Sequence, residues 1–388
     1  MLYSIFMSNS NKHLYFFILG SNPELSFAEI ATVLGIKEKR LITKELLVLE
    51  TENEIVPENL IKKLGGIIKI GIFHEELDNP DQLELQLSLA KIASKAKGAS
   101  GEGKFCFGIS AYGESIQKPL ALGLEVKKYF RDQGLSCRLV TSREPQLSSV
   151  VVTQNKLIGR GIELVIVKKD GKVLVGQTLA VQDFKDLSKR DFGRPSRDDE
   201  SGMLPPKLAQ IMINLAGQKS LEATILDPFC GSGTVVTEAM LMGFQNLIGA
   251  DLSPKAVSDT RENVNWMRKR YDLERANIKI INRNVVNLSK VIKASSVDAI
   301  VTEPYLGPQR GLKNIPLVIT ELEDLYTQAL RQFDLILKPG GRVVMIWPVF
   351  YGENHIEPRL GNFTKVYSVL YGRSGQKVFR EVVVLDKK

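Results

Sequence analysis

The chain has 388 residues, of which 44% are hydrophobic and 25% are charged, and these proportions exclude a disordered protein. The length allows about two or three domains of ordinary size. A net charge of +8 and a pI near 9.1 indicate a polyanionic partner, although a basic surface without function explains the charge alone equally well.

Cysteine, histidine and hydropathy patterns exclude further classes of protein. The three cysteines are widely spaced and odd in number, which disfavours a disulfide framework and indicates a reducing compartment. The three histidines are scattered, so Cys and His spacing predicts no metal site. No apolar run approaches the ~20 residues of a membrane helix. The first residues also lack the basic region and cleavage site of a secretion signal. We therefore expect a soluble, cytoplasmic protein without a metal.

The first half of the chain predicts two small units that mix helices and strands. Up to about residue 98 the pattern is β-α-β-β-α, beginning with the strand HLYFFILG at residues 13–20. Ser26 is the expected N-cap of the first helix, with Glu29 at the capping-box position. The Gly- and Ser-rich segment KGASGEGK then predicts a domain seam.

Residues 99–183 predict the second unit, in which the strand FCFGISAYG precedes one helix and several strands. SSVVVTQ is one of these predicted strands, and two more flank a Lys-Asp-Gly-Lys turn. Residues 184–205 are polar, dense in charge and interrupted by glycine and proline. This composition predicts a linker or functional loop without regular structure, and the main domain boundary is placed there.

Residues 206–388 predict a doubly wound α/β domain. Strands such as ATILDPF and NLIGADLS alternate with helices, one of which is expected to begin with Ser253 as N-cap and Pro254 as first residue. This alternation predicts a parallel sheet with right-handed crossovers, to which a final hairpin adds an antiparallel strand. Ligands bind beyond the carboxyl ends of the strands in such a sheet, so the residues there are the functional candidates.

The first of these strand ends carries the glycine-rich loop LDPFCGSGT. Gly231 and Gly233 permit a sharp turn and a close approach to a ligand, and the helix behind them offers free N–H groups. Val236 stands where a dinucleotide-binding enzyme has its third glycine, and the loop begins with an acid, Asp227. A carboxylate suits a ligand with cationic groups, such as the amino acid end of S-adenosylmethionine. A plain tight turn is the alternative.

The next two strand ends carry polar residues at matching places. Asp251 ends NLIGADLS about twenty residues further on, where an acid can accept hydrogen bonds from both hydroxyls of a ribose. Asn284 follows the third strand, and its side-chain oxygen can accept from an adenine amino group. A turn asparagine is nearly as good an interpretation of Asn284.

The fourth strand end is VDAIVTEPYLGP, residues 297–308. Methylation of an exocyclic amine needs acceptors for both amino hydrogens, which align the nitrogen with the methyl group and stabilise developing positive charge. Glu303 and a backbone carbonyl of Glu303 or Pro304 can supply these acceptors, and Tyr305 can stack on a base. The segment therefore predicts an amine-positioning motif.

DPFCGSGT, followed by GADLS and TEPY, resembles the class I methyltransferases that use S-adenosylmethionine. Over nearly its whole length the chain is similar to the THUMP-domain tRNA guanosine N2-methyltransferases, the kind that modify guanosine 10. LGSNPELSFAEI resembles their N-terminal segment, about Phe105 to Asp183 their THUMP domain, and SKRDFGRPSRDDESGMLPPKLAQIMINLAG their linker and first helix. The resemblance implies a ferredoxin-like domain (residues 1–98) and a THUMP RNA-binding domain (99–183) that hold tRNA, and a seven-stranded, Rossmann-like methyltransferase domain (206–388).

The resemblance also implies site residues. Those for the cofactor S-adenosyl-L-methionine are Asp227, Phe229, Gly231, Gly233, Asp251, Leu252 and Asn284. The implied catalytic residues are Glu303, Pro304 and Tyr305. Asn284 departs from the usual aspartate, and TEPYLGP is one residue shorter than the expected Asp-Pro-Pro-Tyr-Gly segment. Glutamate is one methylene longer than aspartate, which can restore the reach of the acid. We expect an active enzyme because the cofactor loop is intact.

Basic residues of the linker and of the loop after the fourth strand are the expected contacts with RNA phosphates. The candidates are Lys189, Arg190, Arg194, Arg197 and Arg310. A solvated loop whose charges are offset by neighbouring acids explains any single linker residue equally well.

Two rival functions stay open at the level of sequence. A DNA amino-methyltransferase would use the same fourth motif, and an RNA-binding protein with an inactive methyltransferase domain would keep the same fold. Methylation at C5 of a pyrimidine is disfavoured, because it needs a nucleophilic cysteine and Cys230 lies in the cofactor loop. The sequence leaves open the modified nucleotide, the number of methyl groups, the oligomeric state and the need for an accessory protein.

Overall fold

The computed structural model describes residues 12–36, 41–99, 105–114, 119–197, 203–273, 275–308, 314–373 and 375–388. The chain divides into two compact units. The first unit comprises Met1–Phe27 and Lys37–Phe184, and the second unit comprises Ala28–Ile36 and Lys185–Lys388. Within the described ranges, no helix combines the length and hydropathy needed to span a membrane.

A single eight-stranded sheet forms the framework of the first unit. Its strands are β1 (His13–Leu19), β2 (Leu41–Thr43), β3 (Leu46–Thr51), β4 (Ile67–Asp78), β5 (Phe105–Gly113), β6 (Cys137–Val140), β7 (Gly161–Lys169) and β8 (Lys172–Val181). The helices are α1 (Pro23–Leu34), of which only the residues up to Phe27 belong to this unit, α2 (Pro57–Lys63), α3 (Gln82–Ala99), α4 (Pro119–Asp132) and α5 (Ser149–Gln154). The strand order is β2-β3-β1-β4-β8-β7-β5-β6.

Helices α3 and α4 cover one face of this sheet, and Phe105, Phe107 and Phe130 lie buried between them and the strands. Strands β4 and β8 pair in antiparallel register, so the strands of residues 1–98 and 99–183 belong to one sheet. The division into two domains near residue 98 stays a prediction. Of the proposed seam KGASGEGK, residues 100–104 lie outside the described residues.

Two local predictions for this unit were wrong. Helix α1 begins at Pro23, and the side chain of Asn22 caps it by accepting the Leu25 N–H at 3.0 Å. Asn followed by Pro is a stronger start signal than Ser26, which lies inside the helix and donates to the carbonyl of Gly66 over 2.8 Å. SSVVVTQ is also not a strand but the short helix α5.

The valine run in α5 favours a strand by propensity alone, but its surroundings decide otherwise. The Ser148 side chain accepts the Val151 N–H at 3.3 Å and so caps the helix. Val152 is fully buried against Leu147 and Leu157, and one helical turn suffices to bring it there.

A seven-stranded sheet forms the framework of the second unit. Its strands are β9 (Thr224–Asp227), β10 (Asn246–Asp251), β11 (Asn277–Asn282), β12 (Val297–Thr302), β13 (Leu337–Phe350), β14 (Phe363–Tyr371) and β15 (Val378–Lys387). The helices are α6 (Phe184–Phe192), α7 (Pro206–Leu215), α8 (Thr234–Leu241), α9 (Pro254–Tyr271), a 3-10 helix (Val285–Lys290) and α10 (Ile315–Ile336).

The strand order is β11-β10-β9-β12-β13-β15-β14, in which the first five strands are parallel and β15 runs antiparallel to both of its neighbours. The predicted doubly wound sheet with a final hairpin is thereby confirmed. The chain order reverses between β9 and β12, which is the switch point where such sheets bind their ligands. Ser253 caps α9 by accepting the Ala256 N–H at 3.3 Å, and Pro254 is the first helical residue.

The predicted linker is only partly irregular, because residues 184–192 form the helix α6. Leu187 and Arg190 are buried on one of its faces, and Asp186 accepts hydrogen bonds from Arg190 Nε at 3.0 Å and from the Tyr271 hydroxyl at 2.6 Å. The prediction of a loop failed over these residues because Asp186 and Arg190 pair within the second unit instead of being solvated.

Candidate active site

Strands β9, β10, β11 and β12 end side by side at one edge of the second sheet. Their last residues are Asp227, Asp251, Asn282 and Thr302. Because the strands are parallel, their carboxyl ends face the same edge and bring the polar residues after them together. The predicted site residues of all four strand ends therefore lie in one neighbourhood.

The glycine-rich loop after β9 has the conformation that its sequence predicts. Gly231 and Gly233 have φ angles of 51° and 86°, a region that side chains rarely adopt. A Cβ at Gly233 would lie 2.8 Å from Cγ2 of Thr260, so the loop can be this close to α9 only with glycine. Within the described part of the chain no side chain caps α8, so its first N–H groups are donors for a ligand.

Asp251 braces the same loop. Its Oδ2 accepts the Gly231 N–H at 3.0 Å, and its Oδ1 accepts the Ser253 N–H at 2.9 Å. Each carboxylate oxygen can accept more than one hydrogen bond, so both keep capacity for ribose hydroxyls. Leu252 beside it is 67% exposed and offers an apolar surface at the strand end.

Asp227 is almost fully buried at the end of β9. Its Oδ1 accepts hydrogen bonds from the Thr302 hydroxyl at 2.6 Å and from the Phe229 N–H at 3.2 Å. Burial raises the pKa of Asp227 to about 7, although both hydrogen bonds lower it and the nearby carboxylates of Asp251 and Glu303 add to the rise. A buried acid of this kind is stabilised as an anion by a cationic group of a ligand.

Asn284 and Phe229 have contacts within the protein that the sequence did not specify. Asn284 Oδ1 accepts the Val286 N–H at 3.1 Å and caps the 3-10 helix, which is the contact of a turn asparagine. Phe229 is partly buried against the core of the sheet. A contact of either residue with the cofactor stays a prediction.

Glu303, the acid of the fourth strand end, forms an ion pair with Arg380 on β15. Arg380 Nε lies 2.5 Å from Glu303 Oε1, and the two side chains are 20% and 13% exposed. Oε2 of Glu303 accepts no hydrogen bond from any described residue. Burial raises the pKa of Glu303, and the charge and hydrogen bond of Arg380 oppose that rise.

Sequence reasoning did not find Arg380. It lies 77 positions after Glu303, within a hairpin that carries no motif. The only available signal was that β15 was predicted to join the same sheet, which does not specify a side-chain contact.

The residues after Glu303 are mostly buried, and Tyr305 is the exception. Pro304 is buried, whereas the side chain of Tyr305 is 59% exposed. The carbonyl of Tyr305 accepts a hydrogen bond from the hydroxyl of Tyr326 at 2.9 Å, and Tyr326 is fully buried on α10. This hydrogen bond anchors the backbone at Tyr305, whose ring is exposed to solvent.

Two of the predicted phosphate contacts are buried inside the second unit, so the structure contradicts that role. Arg190 pairs with the buried Glu238 and with Asp186. Arg194 is also buried, and its Nη1 donates to the Thr234 hydroxyl at 2.7 Å. The ion pair of Arg190 with Glu238 joins α6 to α8, and neither guanidinium is exposed for contact with an RNA backbone.

The remaining basic candidates differ in position. Lys189 and Arg197 are exposed, and the guanidinium of Arg197 lies 5.3 Å from the centre of the Phe192 ring. Arg310 lies outside the described residues. Among the residues that are described, no group of three or more His, Cys, Asp or Glu side chains is arranged as a metal site.

The residues present fit S-adenosylmethionine: an uncapped helix start behind a glycine loop, a buried acid for a cationic group and a second acid for a ribose. The sheet order and these strand ends define a class I methyltransferase. Comparisons with known proteins agree. Residues 194–350 match the family model described as "RMKL-like, methyltransferase domain".

Two relatives are tRNA-modifying enzymes by name. The chain is 34% identical to a tRNA (guanine(10)-N2)-dimethyltransferase of Methanothermobacter thermautotrophicus over 50% of this chain and 51% of the relative. It is also 34% identical to a protein of Methanothermococcus thermolithotrophicus named "Probable tRNA (guanine(10)-N2)-dimethyltransferase", over 31% of this chain and 72% of that protein. The chain therefore belongs to the family of S-adenosylmethionine-dependent tRNA guanine-N2 methyltransferases. The match spans about half the length of the first relative.

Among solved structures, TrmN from Thermus thermophilus is similar over 97% of this chain and 100% of its own, with a TM-score of 0.57. At 17% identity this likeness shows the fold. The predicted fold class is thus confirmed.

Proposed function

We propose that the protein transfers a methyl group from S-adenosylmethionine to the exocyclic N2 amine of a guanine in tRNA. The observation that carries the proposal is the hydrogen bond of 2.6 Å between Thr302 and Asp227. It joins the end of β12, which holds the amine-positioning motif, to the end of β9, which begins the cofactor loop. The names of the curated relatives support guanine N2 and tRNA as target and substrate.

In this proposal the cofactor is held by the strand ends. Asp227 accepts hydrogen bonds from the ammonium group of the cofactor, and Asp251 accepts them from its ribose hydroxyls. The free N–H groups at the start of α8 face the cofactor next to Gly231 and Gly233. When bound, S-adenosylmethionine supplies an electrophilic methyl group on a sulfonium sulfur. The phenyl ring of Phe229, the side chain of Leu252 and the amide of Asn284 complete the adenosine site.

The target amine is positioned by the fourth strand end. Oε2 of Glu303 accepts one amino hydrogen, and the carbonyl of Glu303 or Pro304 accepts the other. The exposed ring of Tyr305 stacks on the guanine. The domains at residues 1–98 and 99–183 hold the tRNA, and exposed Lys189 and Arg197 add phosphate contacts.

Incubation with labelled S-adenosylmethionine and either a tRNA transcript or duplex DNA tests the proposal. Transfer to tRNA supports it, and transfer to DNA alone would identify a DNA amino-methyltransferase. No transfer to either, with tRNA still bound, would identify an inactive RNA-binding protein. A transcript with inosine in place of guanosine lacks the N2 amine and should accept no methyl group; label in that transcript would refute guanine N2 as the target.

The variant Glu303→Ala tests the catalytic assignment. Removal of one positioned acceptor is expected to lower kcat by about a hundredfold or more while the affinity for S-adenosylhomocysteine stays the same. Glu353→Ala, at an exposed glutamate of the same unit, is the matched control. Unchanged turnover of Glu303→Ala would show that Glu303 is not a catalytic residue.

A further inference from the structure

Glu303 at the end of β12 and Arg380 on β15 form an ion pair that lies at the candidate active site. Strand β13 lies between β12 and β15, so the two side chains contact each other across β13. Arg380 lies opposite Pro348 in the register of β13 and β15. Arg380 Nε donates to Oε1 of Glu303 over 2.5 Å. The contact therefore uses only one of the two carboxylate oxygens, and no group in the described part of the chain donates a hydrogen bond to Oε2.

We propose that Arg380 is a positioning residue of the methyl-transfer site, which holds Oε1 of Glu303 so that Oε2 is oriented to accept an amino hydrogen of the target base. The inference rests on the proposed function and deepens it. Arg380 does not touch the reacting atoms and acts through Glu303.

The surroundings of Glu303 show why a cation is needed. Among the residues that the structure describes, three groups interact with it: Arg380 from β15, the carboxyl of Asp227 from β9 and the hydroxyl of Tyr326 from α10. Of these only Arg380 is positively charged. Burial raises the pKa of Glu303, and Arg380 is the group that opposes this effect. Because Oε1 already accepts from Arg380, a proton on Glu303 would sit on Oε2, which would then be a hydroxyl donor and a weaker acceptor for an amino hydrogen.

The chemistry of the two side chains fits this role. A guanidinium stays charged over the whole physiological pH range and donates along fixed directions, so it orients the carboxylate as well as ionising it. Glutamate is one methylene longer than aspartate, and the carboxylate of Glu303 lies 2.5 Å from Arg380 Nε, so an aspartate in its place would fall short of the contact. The altered residue and the arginine thus form one functional pair, and Glu303→Asp is expected to lose activity although it restores the usual acid.

Steady-state transfer to tRNA by Arg380→Gln, measured from about pH 6 to pH 9, tests the inference. Loss of the cation raises the pKa of Glu303 further, and the ionised form is the active one. Activity is therefore lost at a higher pH than in the wild type as the pH falls, with kcat reduced about tenfold or more near neutrality. KM for tRNA and the affinity for S-adenosylhomocysteine should not change. Arg380→Lys keeps the charge and should restore the pH profile with only part of kcat.

A superimposable pH profile for folded Arg380→Gln and wild type would overturn the inference. A double-mutant cycle adds a second criterion. In the Glu303→Gln background position 303 has no ionisable group, so adding Arg380→Gln should not shift the pH profile of kcat any further. If Arg380→Gln fails to fold, Arg380→Lys decides, and a kcat equal to that of the wild type refutes the positioning role. A wild-type protein that transfers no methyl group to tRNA would defeat the proposed function itself, which is a separate outcome.

Discussion

Thr302→Val tests whether Asp227 holds the cationic group of the cofactor. The hydroxyl of Thr302 donates to Asp227 over 2.6 Å, and both residues are almost fully buried. Valine keeps the shape of the side chain and removes the donor. A hydrogen bond to a charged group contributes about 1.5–3 kcal/mol, so the ionised form of Asp227 loses stabilisation of that order relative to the protonated form.

The direction of the pH effect follows from the environment of Asp227. Burial raises its pKa to about 7, and the bond from Thr302 is the larger of the two hydrogen bonds that oppose the rise. Thr302→Val therefore raises the pKa further. Since the ionised carboxylate attracts the ammonium group, affinity for the cofactor is present above this pKa and is lost as the pH falls through it. In the variant this loss begins at a higher pH.

Isothermal titration with S-adenosylhomocysteine between about pH 6 and pH 9 measures the effect. Near pH 7 the Kd of Thr302→Val should exceed that of the wild type by about tenfold to a hundredfold. Thr302→Ser keeps the donor and should behave as the wild type. Methylthioadenosine lacks the ammonium group and should bind both proteins equally. The reasoning is refuted if Thr302→Val binds S-adenosylhomocysteine with the pH dependence of the wild type.

Three further substitutions have defined outcomes. Tyr305→Ala should raise KM for tRNA about tenfold or more in steady-state kinetics, because stacking on one base contributes about 1–3 kcal/mol, whereas Tyr305→Phe should not. Gly233→Ala places a Cβ 2.8 Å from Thr260 Cγ2 in a left-handed residue, and titration should detect lost binding of S-adenosylhomocysteine. Arg190→Met leaves Glu238 buried without its cation, and chemical denaturation should show a free energy of unfolding lower by about 3–5 kcal/mol.

Each of these expectations has a contrary result. Equal loss in Tyr305→Ala and Tyr305→Phe would assign the effect to the hydroxyl instead of the ring. Tight binding of S-adenosylhomocysteine by Gly233→Ala would place the cofactor away from the glycine loop. If Arg190→Met leaves the stability unchanged and makes tRNA binding less sensitive to salt, Arg190 contacts the RNA after all.

The cofactor side of the site could be predicted because its signals are local. The left-handed glycines, the uncapped start of α8 and the Ser253–Pro254 start of α9 each depend on a few consecutive residues. Strand and helix periods predicted the second sheet for the same reason. The two wrong predictions were also local. At the start of α1, Asn22 is the N-cap in place of Ser26. In α5, the burial of Val152 in a helix outweighed the strand propensity of the valine run.

The substrate side depends on contacts between distant residues. The sequence by itself determined the doubly wound sheet, the loop conformation and the place of Glu303 at the fourth strand end, because backbone propensities and hydrophobic periods act between near neighbours. Only the tertiary structure decided that Arg380 reaches Glu303 and that Arg190 and Arg194 are buried instead of facing RNA. Burial and pairing of a charge are set by the strand order and by the helices packed on it. No short stretch of sequence contains that information.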